Sequence, residues 1–208
     1  MIKTVLFDVD GVLLDSFEAN LNFFQKLMPI VGYPSPTRDQ YKQCFHLSML
    51  DVIKKLIAPA SEEKAKEIFD IGRKEAINYQ YQLIKTPIKI TETILDLHDK
   101  YKLGIVTSRI KGRLLDYPQF KDIKNCFQTA IYYEDTKNHK PDPEPLLLAA
   151  KKLKVKSTEA VYIGDTESDR QAAQAAKMHF IHYVNNNLSD SIKTCAFTQI
   201  PNLIKNIG

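Results

Sequence analysis

The sequence predicts an α/β fold in which a mainly parallel sheet carries a helical insert, and three observations support this. A β-branched and aromatic run at residues 4–7 predicts a strand at the start of the chain. Residues 16–84 carry apolar side chains at three- and four-residue spacing, which is typical of helices. From Thr86 onward helical and strand-like segments alternate, as they do in parallel sheets. We therefore expect a core domain formed by residues 1–15 and 85–208 and a helical domain formed by residues 16–84.

The insert is expected to contain several helices separated by prolines. The first covers residues 17–28, and Pro29 breaks its pattern. A second helical stretch begins near Thr37, and another ends at Pro59. Ser61 is suited to cap the last helix, because its hydroxyl can accept a hydrogen bond from a free N–H group of the first turn.

Short apolar runs and capping residues locate the elements of the second half of the chain. Asp142 is expected to cap a helix that Pro143 opens, because proline is tolerated in the first helical turn. An alanine-rich stretch predicts a later helix. The expected strands lie at residues 102–106, 128–132, 160–163 and 180–184, and the expected helices at residues 90–97, 146–153 and 172–176.

Composition limits the classes of protein that fit. With 208 residues, 44% of them hydrophobic, the chain can bury the core of one ordinary domain with an inserted module. The net charge of +4, from 29 basic and 25 acidic residues spread along the chain, argues against a nucleic-acid partner. No apolar run approaches the ~20 residues that span a bilayer, so we expect no membrane partner. Cys44, Cys126 and Cys195 form no CxxC motif, so we expect unpaired thiols and a cytoplasmic location.

Two aspartates follow the first strand and are the first candidates for a functional site. Asp8 and Asp10 lie two residues apart, and Gly11 comes next. Charge at the end of a buried strand is costly unless something pairs with it. The adjacent residues supply no positive partner, so a metal ion or a distant lysine is required. A loop with chance aspartates is the alternative, because Asp and Gly are common in turns.

Three later segments complete a pattern. Thr107 and Ser108 follow the second strand, Lys140 precedes the capped helix, and Asp165 and Asp169 follow a later strand. In this order the four segments resemble the motifs of the haloacid dehalogenase superfamily, a mostly phosphatase family with a doubly wound, Rossmann-like α/β core. The resemblance covers essentially the whole chain. The insert is similar to the small helical cap shared by phosphoglycolate phosphatases and β-phosphoglucomutases.

The resemblance implies a chemical role for each acidic residue and for the lysine. Asp8 is expected to be the nucleophile that forms an aspartyl phosphate. Asp10 is expected to protonate the leaving alkoxide and then to activate water, and its presence favours phosphate esters over carbon–halogen substrates. Mg²⁺ is the expected cofactor, with Asp8, the backbone carbonyl of Asp10 and Asp165 as ligands. Asp169 is either a further ligand or a support that steers Lys140, whose ammonium is expected to neutralise the phosphoryl group.

The resemblance also implies contacts with the substrate phosphate. Thr107 is expected to donate its hydroxyl to a phosphate oxygen, and Ser108 to add a backbone N–H. Gly11 and Lys140 belong to the same expected phosphate pocket. Arg109 is expected either to meet a substrate anion at the mouth of the site or to be a surface arginine.

The predicted cap departs from familiar relatives at residues 44–49, the expected specificity loop. His46 stands where related caps often have glycine, and Met49 stands near the position of a phosphate-gripping arginine in the mutases. Both are candidate substrate contacts, although His46 also fits a helix-end histidine with no catalytic role. The missing arginine weakens the mutase interpretation.

We therefore expect a Mg²⁺-dependent phosphatase that hydrolyses a small phosphorylated metabolite through an aspartyl phosphate. A phosphomutase of the β-phosphoglucomutase type is the first alternative, and a non-catalytic protein that binds a phosphorylated ligand is the second. The expected partner is the small substrate, bound by a monomer or a homodimer. Substrate-selecting loops vary most, so the identity of the substrate stays open.

Overall fold

The chain folds into two compact units. The computed structural model describes residues 1–45, 47–74, 77–112, 114–183, 192–194 and 196–207. The core unit comprises Met1–Asp15 and Thr86–Gly208, and the insert unit comprises Ser16–Lys85. In the part of the chain that is described, no helix has the length and apolar character needed to cross a bilayer.

The core unit is built on a parallel sheet with the strand order β3-β2-β1-β4-β5-β6. Its described strands are β1 Thr4–Phe7, β2 Lys102–Val106, β3 Phe127–Ile131, β4 Ala160–Gly164, β5 His179–Tyr183 and β6 Ile192–Thr194. Every neighbouring pair is parallel. The direction of strand addition reverses between β1 and β4, and ligands bind beyond the carboxyl ends of the strands at such a point. The predicted α/β fold with a doubly wound parallel sheet is confirmed.

Apolar strand residues explain why the sheet forms. All residues of β1 and β4 are buried, as is typical of parallel strands that are covered on both faces. Phe7 pairs with Ile105 of β2 and with Ile163 of β4, so these three strands end at nearly the same level. The residues that follow them therefore lie at one edge of the sheet.

The insert unit contains four α-helices in its described residues. They are α1 Phe17–Ile30, α2 Arg38–Lys42, α3 Met49–Ile57 and α4 Glu62–Lys74. These helices bury an apolar cluster of their own, which includes Leu21, Phe24, Leu27, Tyr41, Ile53 and Ile68. The prediction that Pro29 ends the first helix is wrong, because α1 continues to Ile30. Proline cannot donate to the Gln25 carbonyl, and the Ser35 hydroxyl donates to that oxygen instead, at 2.9 Å.

The described helices of the core unit are α5 Ile90–His98, α6 Glu144–Leu153, α7 Glu167–Ala175 and α8 Ile200–Ile207. Helix α6 begins just after Pro143, and Asp142 Oδ1 accepts the Glu144 N–H at 2.8 Å. Helix α7 begins well before the predicted alanine-rich stretch. Its start is stabilised by the Thr166 hydroxyl, which accepts the Asp169 N–H at 3.1 Å.

Several boundaries differ slightly from those predicted. Strands β3 and β5 each begin one residue early, and Val184, expected to end the last predicted strand, lies outside the described residues. Strand β6 and helix α8 were not predicted. Cys44 and Cys126 are free thiols, as expected, and Cys195 lies outside the described residues.

Candidate active site

Three aspartates that follow β1 and β4 meet at the carboxyl edge of the sheet. Asp8, Asp165 and Asp169 each offer a carboxylate oxygen, and these oxygens all lie within 4.8 Å of one another. The Asp8 N–H donates to the Ile163 carbonyl at 2.9 Å, which extends the pairing of β1 with β4 beyond the end of β1. Asp8 and Asp169 are buried. Three carboxylates this close are unfavourable unless positive charge neutralises them.

Lys140 supplies positive charge to the cluster. Its Nζ lies 3.1 Å from Asp8 Oδ1 and 2.6 Å from Asp169 Oδ1, and its side chain is only 5% exposed. Nζ also donates to the Tyr162 hydroxyl at 2.9 Å. Burial lowers the pKa of Lys140, but the carboxylates of Asp169 and Asp8 outweigh it, so the pKa lies above its ordinary value. All three ammonium hydrogens therefore have acceptors.

Asp169 has several polar partners within the protein. Its Oδ1 faces Lys140 Nζ and the Tyr162 hydroxyl, at 2.6 and 3.0 Å. Its Oδ2 faces the Thr166 hydroxyl and the backbone N–H groups of Thr166 and Asp165, at 2.6, 3.1 and 3.3 Å. Burial raises the pKa of Asp169, but Lys140 and Thr166 outweigh burial and hold it below its ordinary value. Much of the acceptor capacity of Asp169 is therefore used within the protein.

Asp165 is different, because its Oδ1 is buried without a hydrogen-bond partner among the described residues. Burial and then the neighbouring Asp169 and Asp8 carboxylates raise the pKa of Asp165 well above its ordinary value. Burial likewise raises the pKa of Asp8 to about 7, against the opposing effect of Lys140. One lysine therefore leaves the cluster short of positive charge.

The donor set at this edge fits Mg²⁺. Hard carboxylate oxygens are the ligands that this ion prefers. Asp165 provides a buried oxygen with no partner in the described structure, and Asp8 provides another carboxylate within 4.8 Å. A divalent cation would also supply the positive charge that the cluster lacks.

Two glycines allow these carboxylates to approach the backbone. Gly11 has a φ of +82°, and a Cβ there would lie 2.1 Å from Asp165 Oδ2. A Cβ at Gly164 would lie 2.5 Å from Asp169 Cβ. Gly11, an expected phosphate contact, therefore lies directly against the Asp165 carboxylate and leaves room for it.

Asp10 is held by Arg109 in a bidentate ion pair. Arg109 Nε lies 2.7 Å from Asp10 Oδ2, and Nη2 lies 2.7 Å from Asp10 Oδ1. The side chains of Arg109 and Asp10 are 16% and 23% exposed. Arg109 Nη1 also donates to the Tyr117 hydroxyl at 3.2 Å. The structure therefore gives Arg109 a partner that neither sequence interpretation included.

Thr107 is buried at the end of β2, beside this pair. Its backbone N–H donates to the Ile131 carbonyl at 3.0 Å, and its hydroxyl accepts the Arg109 N–H at 3.2 Å. The hydroxyl proton remains available for an acceptor, since the Arg109 contact uses only a lone pair. Ser108 follows and is partly exposed.

The two residues expected in the cap loop have different outcomes. His46 lies outside the described residues. Met49 is the first residue of α3 and packs within the insert unit, where its Cε lies 2.6 Å from the position that a Cβ on Gly72 would take.

Sequence reasoning missed Tyr162 and His182. The hydroxyl of Tyr162 contacts Lys140 and Asp169, and also the Val106 carbonyl at 3.1 Å. His182 Nε2 lies 3.2 Å from the Asp165 carbonyl oxygen. One signal was present for Tyr162, because a tyrosine inside an apolar strand is buried and its hydroxyl then needs a partner.

Comparison with known proteins adds independent information. The family model for haloacid dehalogenase-like hydrolases matches residues 5–183. The pyrophosphatase PpaX of Bacillus pumilus is 28% identical over 178 residues, which cover 84% of this chain and 80% of the relative. A solved HAD-superfamily hydrolase of subfamily IA from Geobacter sulfurreducens is 27% identical, with a TM-score of 0.73. The match covers 98% of this chain and 96% of the chain of that hydrolase. A β-phosphoglucomutase from Clostridium difficile has the same fold, with 20% identity, a TM-score of 0.81 and coverage of 100% of this chain and 97% of its own.

The family match includes all four motif segments. It confirms the resemblance that those segments indicated, and the phosphatase names of the relatives support the predicted enzyme class. The chain belongs to the haloacid dehalogenase-like hydrolase family.

Proposed function

We propose that this chain is a Mg²⁺-dependent phosphatase that hydrolyses a small phosphorylated substrate through an aspartyl phosphate on Asp8. The observation that carries the proposal is the buried cluster in which an Asp8 oxygen lies 3.1 Å from Lys140 Nζ. The oxygen of Asp165 that lacks a partner belongs to the same cluster. Because the PpaX relatives are named pyrophosphatases, phosphate anhydrides join phosphate esters as candidate substrates.

Asp8 is suited to nucleophilic attack on phosphorus. Attack by one carboxylate oxygen expels the leaving group and forms an aspartyl phosphate, which divides one difficult hydrolysis into two displacements. An anionic nucleophile approaches a phosphate only where positive charge surrounds both, and Lys140 supplies one such charge. Thr107 would donate its hydroxyl to a phosphoryl oxygen, with a backbone N–H from Ser108.

Asp10 would carry the proton transfers. In the first step it protonates the bridging oxygen of the leaving group, and in the second it takes a proton from the water that attacks the aspartyl phosphate. Both steps require an Asp10 oxygen that faces the reacting atoms. In the present conformation both oxygens face Arg109.

The metal would be held by Asp8, Asp165 and the backbone carbonyl of Asp10, and when bound it would supply positive charge to the phosphoryl oxygens. Asp169 would act through Lys140, because its oxygens already accept from the Lys140 ammonium, the Thr166 hydroxyl and two backbone N–H groups. Of the two roles expected for Asp169, these contacts favour support of Lys140 over direct metal binding.

We further propose that the core unit is the catalytic domain, residues 1–15 and 85–208, and that residues 16–84 form a cap that selects the substrate. His46 and Met49 remain the proposed cap contacts. The enzyme would act in the cytoplasm, as a monomer or a homodimer, on small substrates.

Release of inorganic phosphate from a panel of phosphate esters and anhydrides tests the proposal. We expect release by the wild-type enzyme with Mg²⁺, little release with a chelator, and none by Asp8→Asn. Isomerisation of a sugar phosphate without net phosphate release would instead indicate a mutase. Binding of phosphorylated compounds without turnover would indicate a non-catalytic protein.

A further inference from the structure

The two cations beside the cluster differ in how firmly they are held. Lys140 is 5% exposed, and all three of its ammonium hydrogens meet buried acceptors. Arg109 is 16% exposed, and its charge is balanced by Asp10, whose side chain is 23% exposed. A pair that solvent reaches exchanges partners more easily than a buried one, because water can replace either member. Lys140 is therefore a fixed charge and Arg109 an exchangeable one.

The ion pair also engages the proposed acid. Both Asp10 oxygens accept from the guanidinium fork at 2.7 Å, so one lone pair of each oxygen is committed to Arg109. Transfer of the guanidinium to another anion would free both oxygens for the reacting atoms. A phosphate or carboxylate group is suited to this, because it offers the same pair of oxygens to the same fork.

The backbone of Arg109 is fixed beside the phosphate pocket. Its N–H donates to the Thr107 hydroxyl at 3.2 Å, and its carbonyl accepts the Tyr133 N–H at 2.9 Å. The guanidinium contacts Asp10, the proposed acid, so a leaving group that Asp10 protonates would lie close to the arginine side chain.

We propose that Arg109 is the specificity-determining residue for substrates whose leaving group carries a second anion, a phosphate or a carboxylate. That anion takes Arg109 from Asp10, and the freed Asp10 then serves the reaction. The inference rests on the proposed phosphatase function. If Arg109 only orients Asp10, no competition is expected. If the proposal holds, Asp10 and the ligand anion compete for the same guanidinium.

The kinetic test uses Arg109→Gln, which keeps hydrogen-bonding capacity but loses the charge. Two substrates with a second anionic group, pyrophosphate and phosphoglycolate, are compared with isobutyl phosphate, in which an isopropyl group replaces the carboxylate of phosphoglycolate. We expect kcat/KM for the first two substrates to fall on the order of 10²-fold, and at least ~10-fold more than for isobutyl phosphate. Arg170→Gln is the matched control, because Arg170 pairs with Glu167 on the surface of α7. Arg170→Gln should leave kcat/KM for all three substrates close to the wild-type values.

The competition test measures the dissociation constant of phosphoglycolate in the Asp8→Asn background, where no turnover occurs. Adding Asp10→Asn should tighten binding on the order of 10-fold, because Arg109 loses its competing partner. Adding Arg109→Gln should weaken binding. In the presence of Arg109→Gln, the effect of Asp10→Asn should shrink to about 2-fold or less, which separates competition for Arg109 from general charge repulsion.

Equal losses of kcat/KM on substrates with and without the second anionic group would overturn the inference, as would an effect of Asp10→Asn that persists without Arg109. Both results would leave the phosphatase proposal standing, because the kinetic result requires an active wild-type enzyme and the binding result does not depend on turnover. A wild-type enzyme that releases no phosphate from any ester or anhydride of the panel would instead overturn the proposed function and the inference with it.

Discussion

The Tyr162 hydroxyl lies 2.9 Å from Lys140 Nζ and links the lysine to strand β4. Tyr162 is fully buried in β4, so this contact holds the ammonium at a defined height above the strands. Burial and the carboxylates of Asp169 and Asp8 raise the pKa of Tyr162 well above its ordinary value. The phenol therefore stays neutral and serves as acceptor for the lysine.

We expect Tyr162→Phe to lower kcat about 10-fold with little change in KM, because Lys140 loses one of three partners and its position relaxes. Unfolding free energy should fall by about 1–3 kcal/mol, since buried polar groups lose a partner. Steady-state kinetics and denaturant unfolding measure both effects. Tyr41→Phe, at a buried tyrosine of the insert unit, is the control for loss of a buried hydroxyl. Wild-type kcat in Tyr162→Phe would show that the contact does not position Lys140.

Asp165 and Asp169 should respond differently to replacement by alanine. Asp165→Ala should abolish Mg²⁺ binding, because it removes the buried oxygen that lacks a protein partner. Asp169→Ala should leave a site that binds Mg²⁺ ~10–100-fold more weakly, as expected for a residue that supports the ligands. Calorimetric titration with Mg²⁺ distinguishes the two. Loss of binding in Asp169→Ala and retention in Asp165→Ala would reverse the assignment.

Asp10→Asn should show a strong dependence on the leaving group. With alkyl phosphates we expect kcat to fall by ~10²–10⁴-fold, because the alkoxide must be protonated as it leaves. With p-nitrophenyl phosphate the loss should be much smaller, since that leaving group needs little protonation. A comparable decrease on both substrates would argue against Asp10 as the acid.

Gly11 and Gly32 form a matched pair of positions for alanine substitution. Both have positive φ, +82° and +83°, but a Cβ at Gly11 would meet Asp165 Oδ2 at 2.1 Å, whereas a Cβ at Gly32 meets nothing within 4 Å. Gly32→Ala should cost about 1–2 kcal/mol of unfolding free energy from backbone strain alone. Gly11→Ala should cost at least about 1 kcal/mol more and should also weaken Mg²⁺ binding, because Asp165 is displaced. Equal effects at both positions would mean that the Asp165 contact is unimportant.

The fold was largely predictable because strand and helix periods are local signals. Short apolar runs such as residues 160–163 predict buried strands. The alternation of strands and helices along the chain predicts a parallel sheet, in which the carboxyl ends of the strands lie at one edge. The described part of strand β6 has three residues, two of them exposed, and gave no such signal. Helix α1 continues beyond Pro29, and the Ser35 hydroxyl donates to the Gln25 carbonyl that proline cannot reach with an N–H group.

The acidic residues of the site and the place of Lys140 among them were predictable, whereas the partner of Asp10 was not. Motif spacing indicated Asp8, Asp165 and Lys140, and the structure brings them together at one edge. The Arg109–Asp10 pair joins residues 99 apart, and only tertiary structure determines such a contact. The same holds for the approach of Asp165 to Gly11, which depends on the juxtaposition of two loops.

Rapid-quench labelling tests the central claim, that Asp8 becomes phosphorylated, most directly. The wild-type enzyme is mixed with Mg²⁺ and a substrate that it hydrolyses, the reaction is stopped with acid within one turnover, and the phosphorylated peptide is identified by mass spectrometry. We predict an acyl phosphate on Asp8 that forms and decays at rates consistent with turnover and is absent from Asp8→Asn. Full turnover without a phosphorylated enzyme, or turnover that persists in Asp8→Asn, would contradict the account.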